Sequence, residues 1–110
     1  MPSIRLKGNT VKEGSVCYVR AEFYNRDGAP TTPDTLEYRI DCLTTQTEIL
    51  GWTSVTPYET TEILITATQN RVIDQANPEE VKQVTVKATG SDGPVLQVER
   101  YRVENLFGTT

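Results

Sequence analysis

Hydrophobic and polar residues alternate with a period of two along most of this chain, which is the pattern of half-buried β-strands. Segment 14–25, GSVCYVRAEFYN, shows the alternation clearly. The side chains predicted to point into a core are Cys17, Val19, Ala21 and Phe23. Those predicted to point outward are Tyr18, Arg20, Glu22 and Tyr24. Residues 25–34 then predict a loop, because Gly, Pro, Asn and Asp favour turns.

Three more segments alternate in the same way and are predicted to be strands with one buried face. Segment 35–42 has the inward set Leu36, Tyr38, Ile40 and Cys42 and the outward set Glu37, Arg39 and Asp41. Segment 62–68 has the inward set Ile63, Ile65 and Ala67, with Leu64 on the opposite side. Segment 81–89 has the inward set Val84, Val86 and Ala88.

Segment 48–55, EILGWTSV, breaks the alternation. Its apolar residues Ile49 and Trp52 are three positions apart and cannot share a face of a regular strand. Gly51 between them predicts a bulge or a bend, the usual role of an isolated glycine in a strand. We expect Trp52 to be buried, because a core of this size needs a large side chain to fill it.

The last predicted strand, within segment 95–106, changes parity along its length. It starts on Leu96 and Val98 and ends on Tyr101 and Val103. A bulge near Glu99 or Arg100 would bring all four apolar side chains to one face.

Residues 69–80 form the one long connection that does not alternate, and its ANPEE end is compatible with a single helical turn or with irregular backbone. With the short opening segment SIRLKG, about seven strands at this spacing predict an all-β protein, with two antiparallel sheets packed as a sandwich. A small closed barrel is the alternative. At 110 residues the chain has the length of one domain.

Composition narrows the possible functions. The net charge is −4 and the basic residues are scattered, which disfavours nucleic-acid binding. An apolar run of membrane-spanning length is not visible, so we expect a soluble protein. A secretory leader is not visible either, so we expect the protein to be made and kept inside the cell. The sequence has no histidine, the commonest general base and metal ligand.

The two cysteines, Cys17 and Cys42, lack the spacing of a metal site. They are expected either as buried free thiols or, alternatively, as a disulfide. Asn-X-Ser/Thr glycosylation sites are absent from the sequence.

Carboxylate pairs are the remaining candidates for chemistry. Glu37 and Asp41 share an outward strand face, and Glu79 and Glu80 are adjacent in a loop. A carboxylate pair could in principle hydrolyse a glycoside, but both of these pairs are expected to be solvated. The acids of the loops are too dispersed for a dedicated calcium loop. The sequence therefore predicts no catalytic residue, no metal and no cofactor.

Exposed aromatic residues indicate an interaction surface instead. Tyr18, Arg20 and Tyr24 lie on one outward strand face, and tyrosine and arginine are enriched in protein interfaces. The alternative is that these side chains only pack against those of the neighbouring strand. Tyr58 is a further candidate. Leu106 and Phe107 follow the last strand in a short extension, residues 105–110, which is expected to cover the sheet or to reach a neighbouring subunit.

The motifs TLEYRID, EILGWTSVTP, EILITATQN, KQVTVKAT and RYRVENLFG together resemble a group of small immunoglobulin-like or fibronectin-like proteins of tailed bacteriophages. The resemblance covers nearly the whole chain and consists mainly of core and turn residues. It implies an immunoglobulin-like β-sandwich over residues 1–104, followed by the extension. It also implies a virion part without enzymatic activity at the head-to-tail connection, on the tail or on the capsid surface.

The exposed aromatics predict a structural or assembly protein, and the resemblance implies that it is synthesised in the host bacterial cytoplasm and docks onto other virion proteins and copies of itself. No small-molecule substrate is expected. The alternative is a small carbohydrate-binding or other ligand-binding sandwich, in which several exposed aromatics would surround one groove.

Overall fold

A computed structural model describes residues 3–7, 11–91 and 93–106 and confirms that the chain is all-β. Seven strands have five residues or more, and β2 has two. The strands are β1 (Ser3–Lys7), β2 (Val11–Lys12), β3 (Cys17–Tyr24), β4 (Thr35–Cys42), β5 (Thr47–Val55), β6 (Thr60–Ile65), β7 (Glu79–Gly90) and β8 (Gly93–Glu104).

The strands form two separate sheets, which argues against the closed barrel. One sheet has the order β1-β3-β6, and the other has the order β2-β8-β7-β4-β5. All pairings are antiparallel except that of β2 with β8, which is parallel. Within the described residues β5 pairs only with β4 and β6 pairs only with β3, so each is an edge strand of its sheet.

One hydrophobic core lies between the two sheets, because side chains from both pack into a single cluster. The inward sets predicted for β3, β4 and β7 are confirmed, with Cys17 only partly buried. In β6, Ile63 and Ile65 are buried as predicted. The prediction for Ala67 is wrong, because β6 ends at Ile65 and Ala67 lies exposed in the following turn.

The connection from residue 66 to residue 78 consists of turns and bends, so its ANPEE end forms no helical turn. No helix in the described part of the chain is long and apolar enough to cross a bilayer. Cys17 and Cys42 are both free thiols. Cys17 is on β3 and Cys42 is on β4, so the two thiols belong to different sheets.

Candidate functional site

The outward surface of the three-stranded sheet carries the interface residues that the sequence predicts on β3. Tyr18 and Arg20 are exposed, and Tyr24 is half-buried. The Tyr24 hydroxyl donates a hydrogen bond to the Glu22 carboxylate, and Arg20 Nε lies 3.5 Å from Glu22 Oε1. These contacts hold the polar groups of β3 in one line along the strand.

The neighbouring strand β6 adds an apolar side chain to this surface. Tyr18 is paired with Leu64, so their side chains share a face and lie side by side. Tyr18 is 55% exposed and Leu64 is 45% exposed. We call the outward side chains of β3 and β6 face A. Its members are Tyr18, Arg20, Glu22, Tyr24, Thr60, Glu62 and Leu64.

The other predicted interface residues lie in separate segments of the chain. Tyr58 is exposed in the connection between β5 and β6, where its carbonyl accepts a 3.5 Å hydrogen bond from Thr61 Oγ1. Leu106 is exposed just after β8. Phe107 lies outside the described residues.

The outward surface of the five-stranded sheet contains Trp52, so the prediction that Trp52 fills the core is wrong. The predicted irregularity at Gly51 is confirmed, because the β4–β5 register shifts there and Gly51 and Trp52 together face Arg39. The extra residue turns Trp52 outward while Leu50 and Thr53 face inward. Trp52 is 43% exposed. The Arg39 guanidinium carbon lies 5.8 Å from the centroid of the Trp52 ring, within the range of a cation–π interaction.

The same outward surface contains Leu96 and Val98. The expected bulge near Glu99 or Arg100 is absent, because β7 and β8 pair without a register shift from Glu79 to Gly90. Continuous alternation therefore buries Tyr101 and Val103 but turns Leu96 and Val98 outward. Leu96 is 54% exposed and Val98 is 42% exposed.

Strand register arranges these outward residues in three rows across β5, β4, β7 and β8, and we call this surface face B. The first row is Ser54, Glu37, Lys87 and Leu96, the second is Trp52, Arg39, Thr85 and Val98, and the third is Glu48, Asp41, Gln83 and Arg100. With strands about 4.8 Å apart, each row spans roughly 14 Å. The apolar side chains therefore lie at the two sides of face B, with polar residues between them.

Charges on face B are separated between its two sides. The acids Glu37, Asp41 and Glu48 are on β4 and β5, whereas the cations Lys87 and Arg100 are on β7 and β8.

Arg39 is the cation on the acidic side of face B. Its guanidinium donates 2.9 and 2.8 Å hydrogen bonds to Asp41 and lies 3.6 Å from Glu48. The hydrogen bond with Asp41, together with the nearby acid charges, raises the pKa of Arg39. Arg39 is therefore held in place by the acids beside it, with Trp52 next to it.

A buried polar cluster closes the end of the core beneath residues 66–78. Glu80 and Lys82 are fully buried and form a 3.0 Å ion pair. The Glu80 carboxylate also accepts hydrogen bonds from the backbone amides of Ile73 (2.7 Å) and Asp74 (2.9 Å) and from Asn77 Nδ2 (3.1 Å). Burial by itself would raise the pKa of Glu80, but these donors and Lys82 together lower the pKa to about 2. The expectation that Glu80 lies in a solvated loop is wrong, because β7 begins at Glu79 and Glu80 is buried.

Three side chains make further hydrogen bonds that hold the same connection. Lys82 Nζ donates a 3.0 Å hydrogen bond to the Arg71 carbonyl. Asn70 is fully buried, where its Oδ1 accepts a 2.8 Å hydrogen bond from the Tyr101 hydroxyl and its Nδ2 donates a 2.7 Å hydrogen bond to the Ser15 carbonyl. Asn105, the first residue of the predicted extension, is buried and donates to the carbonyls of Gln75 and Asn77. The cluster is a structural anchor.

A surface cleft of about 350 Å³ lies beside this connection and is lined by Glu13, Gly14, Arg71, Val72 and Gln75. The Glu13 carboxylate accepts hydrogen bonds from Gln75 Nε2 (3.0 Å) and from the Val72 amide (2.9 Å). These hydrogen bonds, the one from Gln75 first, lower the pKa of Glu13. One oxygen of the carboxylate, Oε2, therefore holds the connection, whereas Oε1 is buried without a hydrogen-bond partner in the part of the chain that the structure describes. Among the described residues, no three His, Cys, Asp or Glu side chains are grouped as metal ligands would be.

Comparisons with models of known protein families, with curated proteins and with solved structures find no match to this chain.

Replacing Trp52 with alanine tests its position on the surface. We expect the free energy of unfolding to fall by less than about 1 kcal/mol, because the change removes one cation–π contact and leaves no core cavity. A buried tryptophan would cost about 3–5 kcal/mol. Urea unfolding of the wild type and the variant measures the difference, and a loss in the higher range would contradict the outward position.

Proposed function

We propose that this chain is a non-enzymatic structural or assembly protein that works by docking. It would dock onto other proteins of a tailed-phage virion and onto copies of itself through its sheet faces and termini. The observation that carries the proposal is the exposed pair Tyr18 and Leu64 on face A, directly beside the free edge of β6. Aromatic and aliphatic side chains with a neighbouring arginine are typical of interaction surfaces. The resemblance to small phage proteins supplies the virion context.

We further propose that the fold is of the immunoglobulin type. In that type the strands A, B, E and D lie in one sheet, and G, F and C lie in the other, where the variable type adds C′ and C″. The orders β1-β3-β6 and β8-β7-β4-β5 match this arrangement when β1 is taken as A and β8 as G. Three departures are clear. Among the described residues the three-stranded sheet has no strand D beside β6. The sheets are not joined by a β3–β7 disulfide, because β7 contains no cysteine, and the tryptophan is on β5 instead of the C strand β4.

Docking through face A would combine side-chain and backbone contacts. Strand β6 is six residues long, its pairing with β3 is regular, and it contains neither proline nor lysine. Proline, lysine and bulges are common devices that block unwanted pairing at a sheet edge. An extended segment of a partner can therefore add to β6 through backbone hydrogen bonds while its side chains contact Leu64 and Tyr18.

The carbohydrate-binding alternative requires several aromatics around one groove. Tyr18 and Tyr24 are on the outward surface of one sheet, whereas Trp52 is on the outward surface of the other. Because the core lies between the two surfaces, these three rings cannot line a single groove. This arrangement favours protein docking.

The absence of histidine and the ion-paired, hydrogen-bonded state of Glu80 support a role without catalysis. In this proposal the chain is made in the host cytoplasm and becomes part of the virion. It needs no cofactor, nucleic acid, membrane or small-molecule substrate.

The proposal is tested by sedimenting phage particles from cells that produce the tagged chain. We expect the wild type to sediment with the particles and the variant Tyr18→Ala/Leu64→Ala to remain largely in the soluble fraction. Thr68→Ala, an exposed change in a turn, is the matched control and should behave as wild type. A wild-type chain that never sediments with particles contradicts the virion role. A double variant that sediments normally shows that face A is not the docking surface.

A further inference from the structure

We propose that face B binds a second copy of this chain, face to face, around a two-fold axis that runs parallel to the strands between β4 and β7. This inference deepens the proposed function, because it names the partner of a second surface and rests on the chain acting by docking. The interface is isologous, so each contact occurs twice.

The first argument is the placement of exposed apolar side chains. Trp52 and Val98 lie at opposite ends of the second row of face B, on β5 and on β8. A two-fold axis along the strands exchanges the two sides of the face and keeps each row in register. Trp52 of one copy then covers Val98 of the other, and this contact buries the exposed apolar surface at both sides.

The second argument is charge complementarity. The axis passes between Glu37 and Lys87, which are directly opposite each other on β4 and β7. In the dimer Lys87 of one copy faces Glu37 of the other, so four charges of alternating sign surround the axis. Neither residue forms an ion pair with a described residue in the single chain, so both are available for this contact.

The third row adds a second charge pair. Arg100 on β8 faces Glu48 of the other copy on β5, because the exchange of sides places β8 of one copy over β5 of the other. Gln83 likewise faces Asp41 of the other copy, where its amide can donate a hydrogen bond. Every charged position in the first and third rows therefore meets a complementary group.

A two-fold axis that lies in the plane of the interface but perpendicular to the strands would pair charges of the same sign. It would invert the order of the rows and place Glu37 against Asp41 of the other copy, and Leu96 against Arg100. Like charges across an interface are unfavourable, so the charge pattern selects the axis parallel to the strands. Sheets packed in this way have aligned strands, which is a common sheet-on-sheet geometry.

The size of face B indicates a weak dimer. Four strands about 4.8 Å apart and five residues long, at about 3.3 Å per residue, present roughly 300–400 Å² per copy. A stable interface buries about 800 Å² per partner, so we expect a dissociation constant in the micromolar range or weaker. A contact of this strength is adequate where many copies are held close together in an assembly.

Sedimentation equilibrium of the purified chain from 1 µM to about 1 mM tests the inference through a charge swap. The wild type should dimerise. Glu37→Lys places four like charges around the axis and should weaken association at least about tenfold. Lys87→Glu should do the same, and the double variant Glu37→Lys/Lys87→Glu should restore dimerisation because the alternating signs return.

Asp27→Lys, in the exposed turn between β3 and β4, is the matched control, because it changes the net charge as Glu37→Lys does but lies outside both faces. It should dimerise as wild type. A monomeric wild type, single variants that still dimerise, or a double variant that fails to recover overturns the inference. A monomer that sediments with phage particles leaves the docking role of face A intact, whereas a dimer that never does so overturns only the virion role.

Discussion

Replacing Glu80 with alanine is expected to lower the free energy of unfolding by about 3–5 kcal/mol, because the change leaves the buried Lys82 charge without its partner. The backbone amides of Ile73 and Asp74 also lose their acceptor. The connection from residue 66 to residue 78 is therefore expected to detach from the core. Urea unfolding gives the free energy, and amide hydrogen exchange at residues 73 and 74 reports the connection directly.

Two variants make this prediction specific. Glu79→Ala changes the adjacent acid, whose ion pair with Arg102 is 3.7 Å long and exposed, and should cost less than about 1 kcal/mol. Glu80→Met/Lys82→Met removes both buried charges, so it should cost less than Glu80→Ala alone. A double variant that is less stable than the single variant would contradict the role given to the unpaired lysine.

Stability at low pH is expected to depend on the same carboxylate. The pKa of Glu80 falls from 4.5 to about 2 on folding, so its contribution is fully present above pH 4.5 and is lost as the pH falls through 2. A shift of this size corresponds to about 3 kcal/mol. Glu13 contributes in the same direction, because folding lowers its pKa as well.

The measurement is urea unfolding of the wild type and Glu80→Gln between pH 6 and pH 2. We expect the stability difference between them to shrink as the pH falls, since glutamine does not titrate. Parallel curves over the whole range would show that the Glu80 charge does not carry this part of the stability.

Alternation in the sequence is sufficient to predict the strands whose inward residues are all apolar. On β4 the set from Leu36 to Cys42 keeps one parity and is buried throughout. The irregularity at Gly51 is also predictable, since two large apolar side chains of opposite parity surround it. What alternation cannot give is the order of the strands within a sheet, which depends on contacts between distant segments.

The side chains of face B are not predictable from hydrophobicity, because apolar residues can also occupy the surface. Trp52, Leu96 and Val98 are apolar enough for a core, yet the continuous β7–β8 register and the bulge in β5 turn them outward. Places where a local rule fails in this way are often functional. All three failures lie on one surface, which agrees with a docking role for face B.

The buried pair Glu80 and Lys82 is not predicted from the sequence either, because here charged residues, and not apolar ones, break the usual rule. Both residues have the parity of Val84 and Val86, so extending the alternation of β7 toward its start would have placed them inward. Their charge suggested solvent instead, because Glu and Lys are rarely buried unless they are paired. The donors that make burial possible come from the connection at residues 71–77, and the sequence does not show that this connection folds over the end of the core.

The central claim, that face B is a docking surface for a second copy, is tested most directly by the fluorescence of Trp52, the one tryptophan in the sequence. Acrylamide quenching should be strong in dilute protein and should decrease as the concentration rises through the range in which the mass doubles. In Glu37→Lys it should stay strong at every concentration. If the wild-type mass doubles while quenching of Trp52 stays constant, the copies meet through another surface and the claim is wrong.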